Sequence, residues 1–282
     1  MKNVHQKPVF NGPGTSYFLN LRLFPKSVRD DVYKLYSFVR FVDDLVRQDS
    51  PDLKTLNYLN RRWSVLKKNL GKDMKKADGS TAEYVLANIC YIMHRYECDI
   101  MWVDDFLDSM INIDKVQFET ISDLFDYMHG SVEGIGSILA KILRLSDATS
   151  DYVVWQSRAL QLIGLIMDIG QDSELGRCYF PQEDLVMFGL KDLSFHEASR
   201  KPAEFREFIE FQVARYYQWQ KLAKKGLRYI PKRSRIAVRT TIDMYDWIGR
   251  MIADEPMLVF EARIKPSRTR ILRTRIKRTI YG

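Results

Sequence analysis

The fold of this chain is decided by the stretch Gln161-Leu162-Ile163-Gly164-Leu165-Ile166-Met167-Asp168-Ile169-Gly170-Gln171-Asp172. The residues that precede the aspartates, from Val153 onward, are apolar nearly all round, which is typical of a helix buried in a large core. Asp168 and Asp172 are four residues apart, so on a helix both project from one face. Buried carboxylates need a cationic side chain or a metal ion as a partner. The alternative is a helix C-terminal turn exposed to water.

The rest of the sequence also has helical periodicity, and no strand pattern with hairpin turns occurs in it. With 282 residues and 46% hydrophobic residues, the chain can bury a sizeable core. We therefore expect an all-α protein with a single domain over residues 1–282, a loop at 1–14 and a basic tail or helix at 263–282. The other predicted helices cover about 28–47, 53–70, 81–111, 120–145, 195–226, 232–254 and 257 onward.

The net charge of +8 favours an anionic partner. Residues 263–282 contain eight Lys or Arg residues and no acidic one, which predicts peripheral membrane association; a solvated terminal helix is the alternative. No nucleic-acid-binding motif is present, so nucleic acid is not expected. The three cysteines form no CxxC pair, and no apolar run reaches the roughly 20 residues that span a bilayer. We expect a reduced cytoplasmic protein that is soluble or peripheral to the membrane.

A second group of charges lies on the helix predicted at 28–47, with Ser27 as the expected N-cap. One stripe of this helix contains Tyr36, Arg40, Asp43, Asp44 and Arg47. Ordinary surface ion pairs at i, i+4 spacing, each worth roughly 0.2–0.5 kcal/mol, are the alternative to a functional cluster.

Two further patterns are ambiguous. Gly130, Gly134 and Gly136 lie among apolar residues, and each costs a helix interior roughly 1 kcal/mol relative to alanine. They indicate close approach of another backbone or of a bulky apolar ligand, and helix packing is the simpler explanation. Asp104-Asp105-x-x-Asp108 is similar to the DDxxD element of chain-elongating prenyl transferases, but its apolar neighbours suit an ordinary amphipathic helix with a wet acidic face.

Read together, the charged patterns resemble the squalene/phytoene synthase family. The matching segments are Tyr33-x-x-Tyr36-x-x-x-Arg40-x-x-Asp43-Asp44, Tyr127-Met128-His129-Gly130-Ser131, and Gln161 followed by Asp168-Ile169-Gly170-Gln171-Asp172-x-x-x-Gly176-Arg177-x-Tyr179-x-Pro181. The resemblance implies the isoprenoid synthase fold, with helices around a central apolar cavity. It also implies head-to-head condensation of two geranylgeranyl diphosphates to phytoene through a cyclopropylcarbinyl diphosphate.

The resemblance further implies which residues perform this chemistry. Mg²⁺, or Mn²⁺ in its place, would be held by Asp43, Asp44, Asp168 and Asp172, which with Tyr127 form the implied catalytic set. The implied substrate-binding residues are Ser16, Tyr17, Tyr36, Arg40, Gln161, Arg177, Tyr179 and Arg263. No NADPH is expected, because no nucleotide-binding motif is present. Squalene or dehydrosqualene synthesis from farnesyl diphosphate is an alternative.

The chain departs from the family pattern at five positions. The first motif of the family ends in Asp where this chain has Arg47, which reverses a charge beside the expected metals and could neutralise Asp43 from i+4. The other departures are Gly14, Gly164, Met167 and Gln171, where the family usually has Ser, Asn, Arg and Glu. The sequence therefore supports two hypotheses: an active Mg²⁺-dependent prenyl transferase, or a catalytically silent paralogue that binds a prenyl lipid, a membrane or a protein partner.

Overall fold

The computed structural model describes residues 23–48, 50–71, 80–113 and 118–261. These residues form α-helices and short helical turns, and no strand occurs among them, as the sequence predicts. The helices are α1 (Lys26–Val46), α2 (Leu53–Leu66), α3 (Thr81–Arg95), α4 (Met101–Ile111), α5 (Ile121–Met128), α6 (Gly134–Ile142), α7 (Ser150–Met167), α8 (Ile169–Glu174), α9 (Gln182–Met187), α10 (Phe195–Arg200), α11 (Pro202–Lys224) and α12 (Lys232–Asp254). A π-helical turn (His129–Glu133) joins α5 to α6, and 3₁₀ turns follow α11 (Lys225–Tyr229) and α12 (Pro256–Phe260).

Several predicted helix boundaries were wrong. Helix α1 begins at Lys26 after Pro25, and no side chain caps it, so Ser27 is not the N-cap. The segment 81–111 is two helices, because the chain turns after α3 with Glu97 in the left-handed region at φ 48°. There the amide of Cys98 donates to the carbonyl of Met93, which closes a Schellman-type turn that the absence of a glycine concealed.

Two groups of buried side chains make up the core. The first joins helices α1 to α4 and α6, with Phe38, Trp63 and Leu107 fully or almost fully buried. The second joins α5 and helices α7 to α12, with Leu162, Phe208 and Tyr216 at its centre. A cavity is lined from both groups, including α1 on one side and α7 on another.

The apolar character of α7 all round its circumference has a direct structural cause. One side of the helix, including Leu162 and Ile166, packs in the second core, mainly against α11. Another side, including Leu160 and Gly164, lines the cavity. A helix that faces packed side chains on one side and an apolar cavity on the other has no broad face left for polar residues.

The glycines at 130–136 mainly serve helix packing. A Cβ atom on Gly134 would lie 2.8 Å from the Cβ of Trp102 and 3.0 Å from its Cα, so α4 approaches closely there. A Cβ on Gly130 would lie 3.3 Å from the carbonyl oxygen of Asp105, which is also on α4. Gly136 also lines the cavity, so at that position both explanations hold.

Three predictions fall on residues that the structure does not describe: the loop at 1–14, Ser16 with Tyr17, and the basic segment 263–282 with Arg263. Among the described residues, none of the helices has the length and apolarity that a membrane span requires.

Two glycine substitutions test the packing. We expect Gly134→Ala to lower the free energy of unfolding by about 1–3 kcal/mol, because the added methyl group meets the backbone of α4. Gly164→Ala is the matched control, since no atom lies within 4 Å of a Cβ at that position. It should raise stability by about 0.5–1 kcal/mol through the entropy of the unfolded chain. Urea unfolding of both variants checks this, and equal stabilities would contradict the packing argument.

Candidate ligand cavity and its charged end

The cavity has a volume of about 480 Å³, within the range of small-molecule sites. Along α7 and its C-cap, its lining runs from Tyr152 to Asp168, a separation of sixteen residues, or about 24 Å at the helical rise of 1.5 Å per residue. Most of its wall is apolar, and representative lining residues are Leu35, Val39, Phe106, Met110, Ile135, Leu139, Leu160, Leu165, Met244 and Ile248. Such an elongated apolar space suits a lipid chain. The side-chain nitrogen of Gln156 also lines it, buried and without a hydrogen-bond partner among the described residues.

One end of the cavity is charged, and Arg47 lies at its centre. Its Nε donates to Asp43 at 2.8 Å, and its Nη1 donates to Asp168 at 2.7 Å. The i+4 pairing with Asp43 follows the sequence expectation, whereas the contact with Asp168, 121 residues away, was not predicted. Burial lowers the pKa of Arg47, but the nearby Asp43 and Asp168 carboxylates raise it by more, so the guanidinium stays charged.

The position of Arg47 at the end of α1 favours a cation. Arg47 is the C-cap residue of the helix, where carbonyl groups lack intrahelical partners and the helix dipole is negative. A second guanidinium, that of Arg177, also contacts the end of α1, where it donates to the carbonyl of Val46 at 3.2 Å. The end of α1 is therefore stabilised by two arginines, and the carboxylate that the family pattern places at position 47 would be unfavourable there without a metal ion.

A short turn brings Arg177 beside the second pair of carboxylates. Helix α8 ends at Glu174, and Gly176 follows the C-cap residue with a φ of 70°, in the left-handed region that favours glycine. The amide of Arg177 then donates to the carbonyl of Asp172 at 2.8 Å. Asp172 is 7% exposed, and burial together with the Asp168 charge raises its pKa to about 7 against the opposing effect of Arg47 and Arg177.

Two stacked tyrosines form the wall next to this end. The rings of Tyr127 and Tyr179 lie 5.8 Å apart, and Phe118 contacts both of them. Burial and the neighbouring Tyr179 raise the pKa of Tyr127, so its hydroxyl keeps its proton at neutral pH. These rings offer an aromatic surface to a ligand in the cavity.

Most of the residues expected at the site from the sequence do line this cavity: Tyr36, Arg40, Asp43, Tyr127, Gln161, Asp168, Asp172 and Tyr179. Asp44 does not, because its side chain is 44% exposed and pairs with Arg40 at 2.5 Å. Arg177 lies behind the charged end rather than in the lining. Asp104, from the DDxxD-like segment, binds Lys67 at 2.7 Å and the indole nitrogen of Trp63, away from the cavity. Sequence reasoning missed the contributions of Gln156 and of α12, for which no motif gives a signal.

The charged end does not fit the magnesium site that the sequence resemblance implies. Mg²⁺ requires oxygen ligands and free space for its bound waters. Here the guanidinium of Arg47, which has no acceptor atom, lies between the carboxylates of Asp43 and Asp168. Within the described ranges, no three His, Cys, Asp or Glu side chains are arranged to hold a metal ion. The two acidic motifs are joined by an arginine instead.

Comparison with known proteins identifies the scaffold. The model of the family described as squalene/phytoene synthase matches residues 10–270. The chain belongs to the squalene/phytoene synthase family. It is similar to a dehydrosqualene synthase solved with a ligand, with a TM-score of 0.79 at 20% identity over 95% of this chain and 92% of that one. The likeness extends to YisP from Bacillus subtilis, with a TM-score of 0.66 at 14% identity over 93% and 90% of the two chains. The helices therefore form the all-α isoprenoid synthase fold.

The curated relatives that match this chain are phytoene synthases of low sequence identity. Phytoene synthase 1, chloroplastic, from Arabidopsis thaliana is 26% identical over 85% of this chain and 56% of its own length. The 15-cis-phytoene synthase of Synechococcus elongatus is 22% identical over 88% of this chain and 82% of its own. This chain spans little more than half the length of the plant relative.

Removing Arg47 tests the bridge between the two carboxylates. We expect Arg47→Met to lower the free energy of unfolding by about 1–3 kcal/mol, because Asp168, 6% exposed, loses a charged partner. Arg47→Lys is the control: it keeps the charge but cannot reach both carboxylates with a planar fork, so its loss should be smaller. Urea unfolding measures both, and a fully stable Arg47→Met variant would show that the bridge contributes nothing.

Proposed function

We propose that this chain binds an isoprenoid lipid in its cavity and does not perform the Mg²⁺-dependent condensation that the family resemblance implies. The observation behind this is the position of Arg47, which joins Asp43 to Asp168 where the resemblance places a metal ion. The apolar wall of the cavity and its length along α7 support an isoprenoid chain as the ligand. Family membership supports the same class of ligand.

The charges at this end also favour binding without catalysis. Arg40 pairs with Asp44, Arg47 pairs with two carboxylates, and Arg177 donates to a backbone carbonyl. A leaving diphosphate needs a concentration of positive charge where its own charge develops. The three guanidiniums instead neutralise the protein's own acceptors, so less of their charge is left to stabilise a departing anion.

A second candidate is the active enzyme, a phytoene-synthase-like prenyl transferase that condenses two geranylgeranyl diphosphates. It is favoured by the pair Asp168 and Asp172 together with Arg177 and the stacked Tyr127 and Tyr179, all of which meet at one end of the cavity. For this reaction Arg47 would have to leave the gap between Asp43 and Asp168 when substrate and Mg²⁺ arrive. Squalene or dehydrosqualene synthesis from farnesyl diphosphate has the same requirement.

A product assay separates the two candidates. Purified protein is incubated with Mg²⁺ and geranylgeranyl diphosphate, and in parallel with farnesyl diphosphate and NADPH; we expect no phytoene, squalene or dehydrosqualene. Arg47→Asp should restore the ligand set of the family, and its melting temperature should rise by a few degrees with Mg²⁺ and inorganic diphosphate, whereas that of the wild type should not. Phytoene from the wild type that disappears in Asp168→Ala would establish the second candidate.

Lipid binding itself is tested by filling the cavity. A Cβ at Gly164 has open space around it and the residue lines the cavity, so Gly164→Phe should project its ring into the ligand volume. We expect it to weaken binding of geranylgeraniol, measured by tryptophan fluorescence, by tenfold or more, while Gly164→Ala binds like the wild type. Equal affinities in all three proteins, or no binding to the wild type, would reject the cavity as a lipid site.

A further inference from the structure

The described residues contain a second concentration of positive charge, separate in sequence from the basic segment at 263–282. Residues 221–239 contain eight Lys or Arg residues and no acidic residue. They form the end of α11, the 3₁₀ turn Lys225–Tyr229 and the start of α12. Six of these cations are exposed, and one of them, Lys224, pairs with Asp246. We call the other five the basic end surface: Lys221, Lys225, Arg228, Lys232 and Arg233.

Few carboxylates neutralise this surface. On the helices packed against it, Asp246 pairs with Lys224 at 2.9 Å, and Asp147 pairs with Lys141 at 3.0 Å. Asp151, at the start of α7, and Asp243, on α12, are further acidic residues of these elements. None of the five side chains of the basic end surface forms an ion pair with another described residue. The surface therefore presents several uncompensated charges to a partner.

The same run of residues forms the wall of the cavity at the end opposite Arg47. Ala223, Gly226, Leu227 and Ile230 line the cavity, and they alternate in sequence with the exposed cations. The wall is held closely against α7, since a Cβ on Gly226 would meet the Cβ of Tyr152 at 2.4 Å. Only one layer of backbone thus separates the apolar cavity from the basic end surface.

An exposed aromatic residue lies in the middle of these charges. Tyr229 is 44% exposed, stacks on Tyr152 with ring centroids 6.0 Å apart, and carries the guanidinium of Arg228 over its ring at 4.8 Å. Tyrosine among basic side chains is typical of surfaces at the membrane interface, where the ring lies at the level of the headgroups. Nucleic acid would use the same charges but would gain nothing from the apolar cavity directly beneath them.

We propose that the basic end surface docks this protein on an anionic lipid bilayer, with the end of the cavity opposite Arg47 against the headgroups. Cationic side chains are attracted to the negative surface potential of such a bilayer, each strengthening binding by roughly fivefold at low salt. Docking brings the thin wall at Ala223, Gly226 and Leu227 next to the lipid. The proposal concerns the surface alone and holds whichever ligand occupies the cavity.

Vesicle flotation without added ligand tests the proposal. The full chain should float with vesicles of phosphatidylcholine and phosphatidylglycerol at low salt, but not with phosphatidylcholine alone. The triple variant Lys225→Glu/Lys232→Glu/Arg233→Glu should bind at least tenfold more weakly. The neutral triple variant with Gln at the same positions should fall in between, and circular dichroism confirms that both are folded.

A matched control has the same change of net charge elsewhere. Lys54, Arg61 and Lys68 are exposed on or next to α2, which packs against α1, α3 and α4. Changing these three residues to Glu should leave vesicle binding close to that of the wild type. The proposal is overturned if the wild type does not float, if the two charge-reversed triples bind equally, or if the basic end variant loses duplex RNA binding in a gel-shift assay while it still floats.

Discussion

The guanidinium of Arg47 is the contact on which the arrangement of the charged end depends. It joins Asp43, near the end of the first described helix, to Asp168, which follows the central buried helix and lies 121 residues after Arg47. Each carboxylate is partly or largely buried, and a buried charge without a partner is strongly unfavourable. A single planar group with several donors satisfies both carboxylates, which a lysine could not do in the same geometry. The two cores of the protein are thus joined at the place where the family pattern implies metal ions.

The cavity extends from this charged end, where the charges are paired, to an end beneath exposed Lys and Arg residues. Its walls are apolar along α7, and its other end lies beneath a segment rich in Lys and Arg. The position of α7 accounts for the apolar walls, because the helix packs on α11 with one side and lines the cavity with another. The charged end at Arg47, the apolar cavity and the basic outer surface therefore follow one another along the length of α7.

Membership of the squalene/phytoene synthase family explains the scaffold, and the departures from the family pattern indicate how this member differs. Structures with only 14–20% identity share the fold, so the helical framework tolerates extensive change. A change from carboxylate to guanidinium at position 47 alters the local charge by two units in a confined space. Such a change affects binding of metals and phosphates far more than it affects the packing of helices, since fold depends on apolar burial and the site depends on charge.

The sequence by itself determined the all-α class and the buried character of the helix before Asp168. These follow from helical periodicity, which is a local property of the chain. That the charged residues of the two helices face each other across a cavity was implied by the resemblance to the family. The sequence indicated close contacts at the glycines between 130 and 136, but it could not identify Trp102 as the neighbour of Gly134. Only the tertiary structure decided that Arg47 reaches Asp168, that Asp44 turns away from the cavity, and that residues of α12 line it. Those outcomes depend on the relative placement of helices far apart in sequence, which no spacing along the chain encodes.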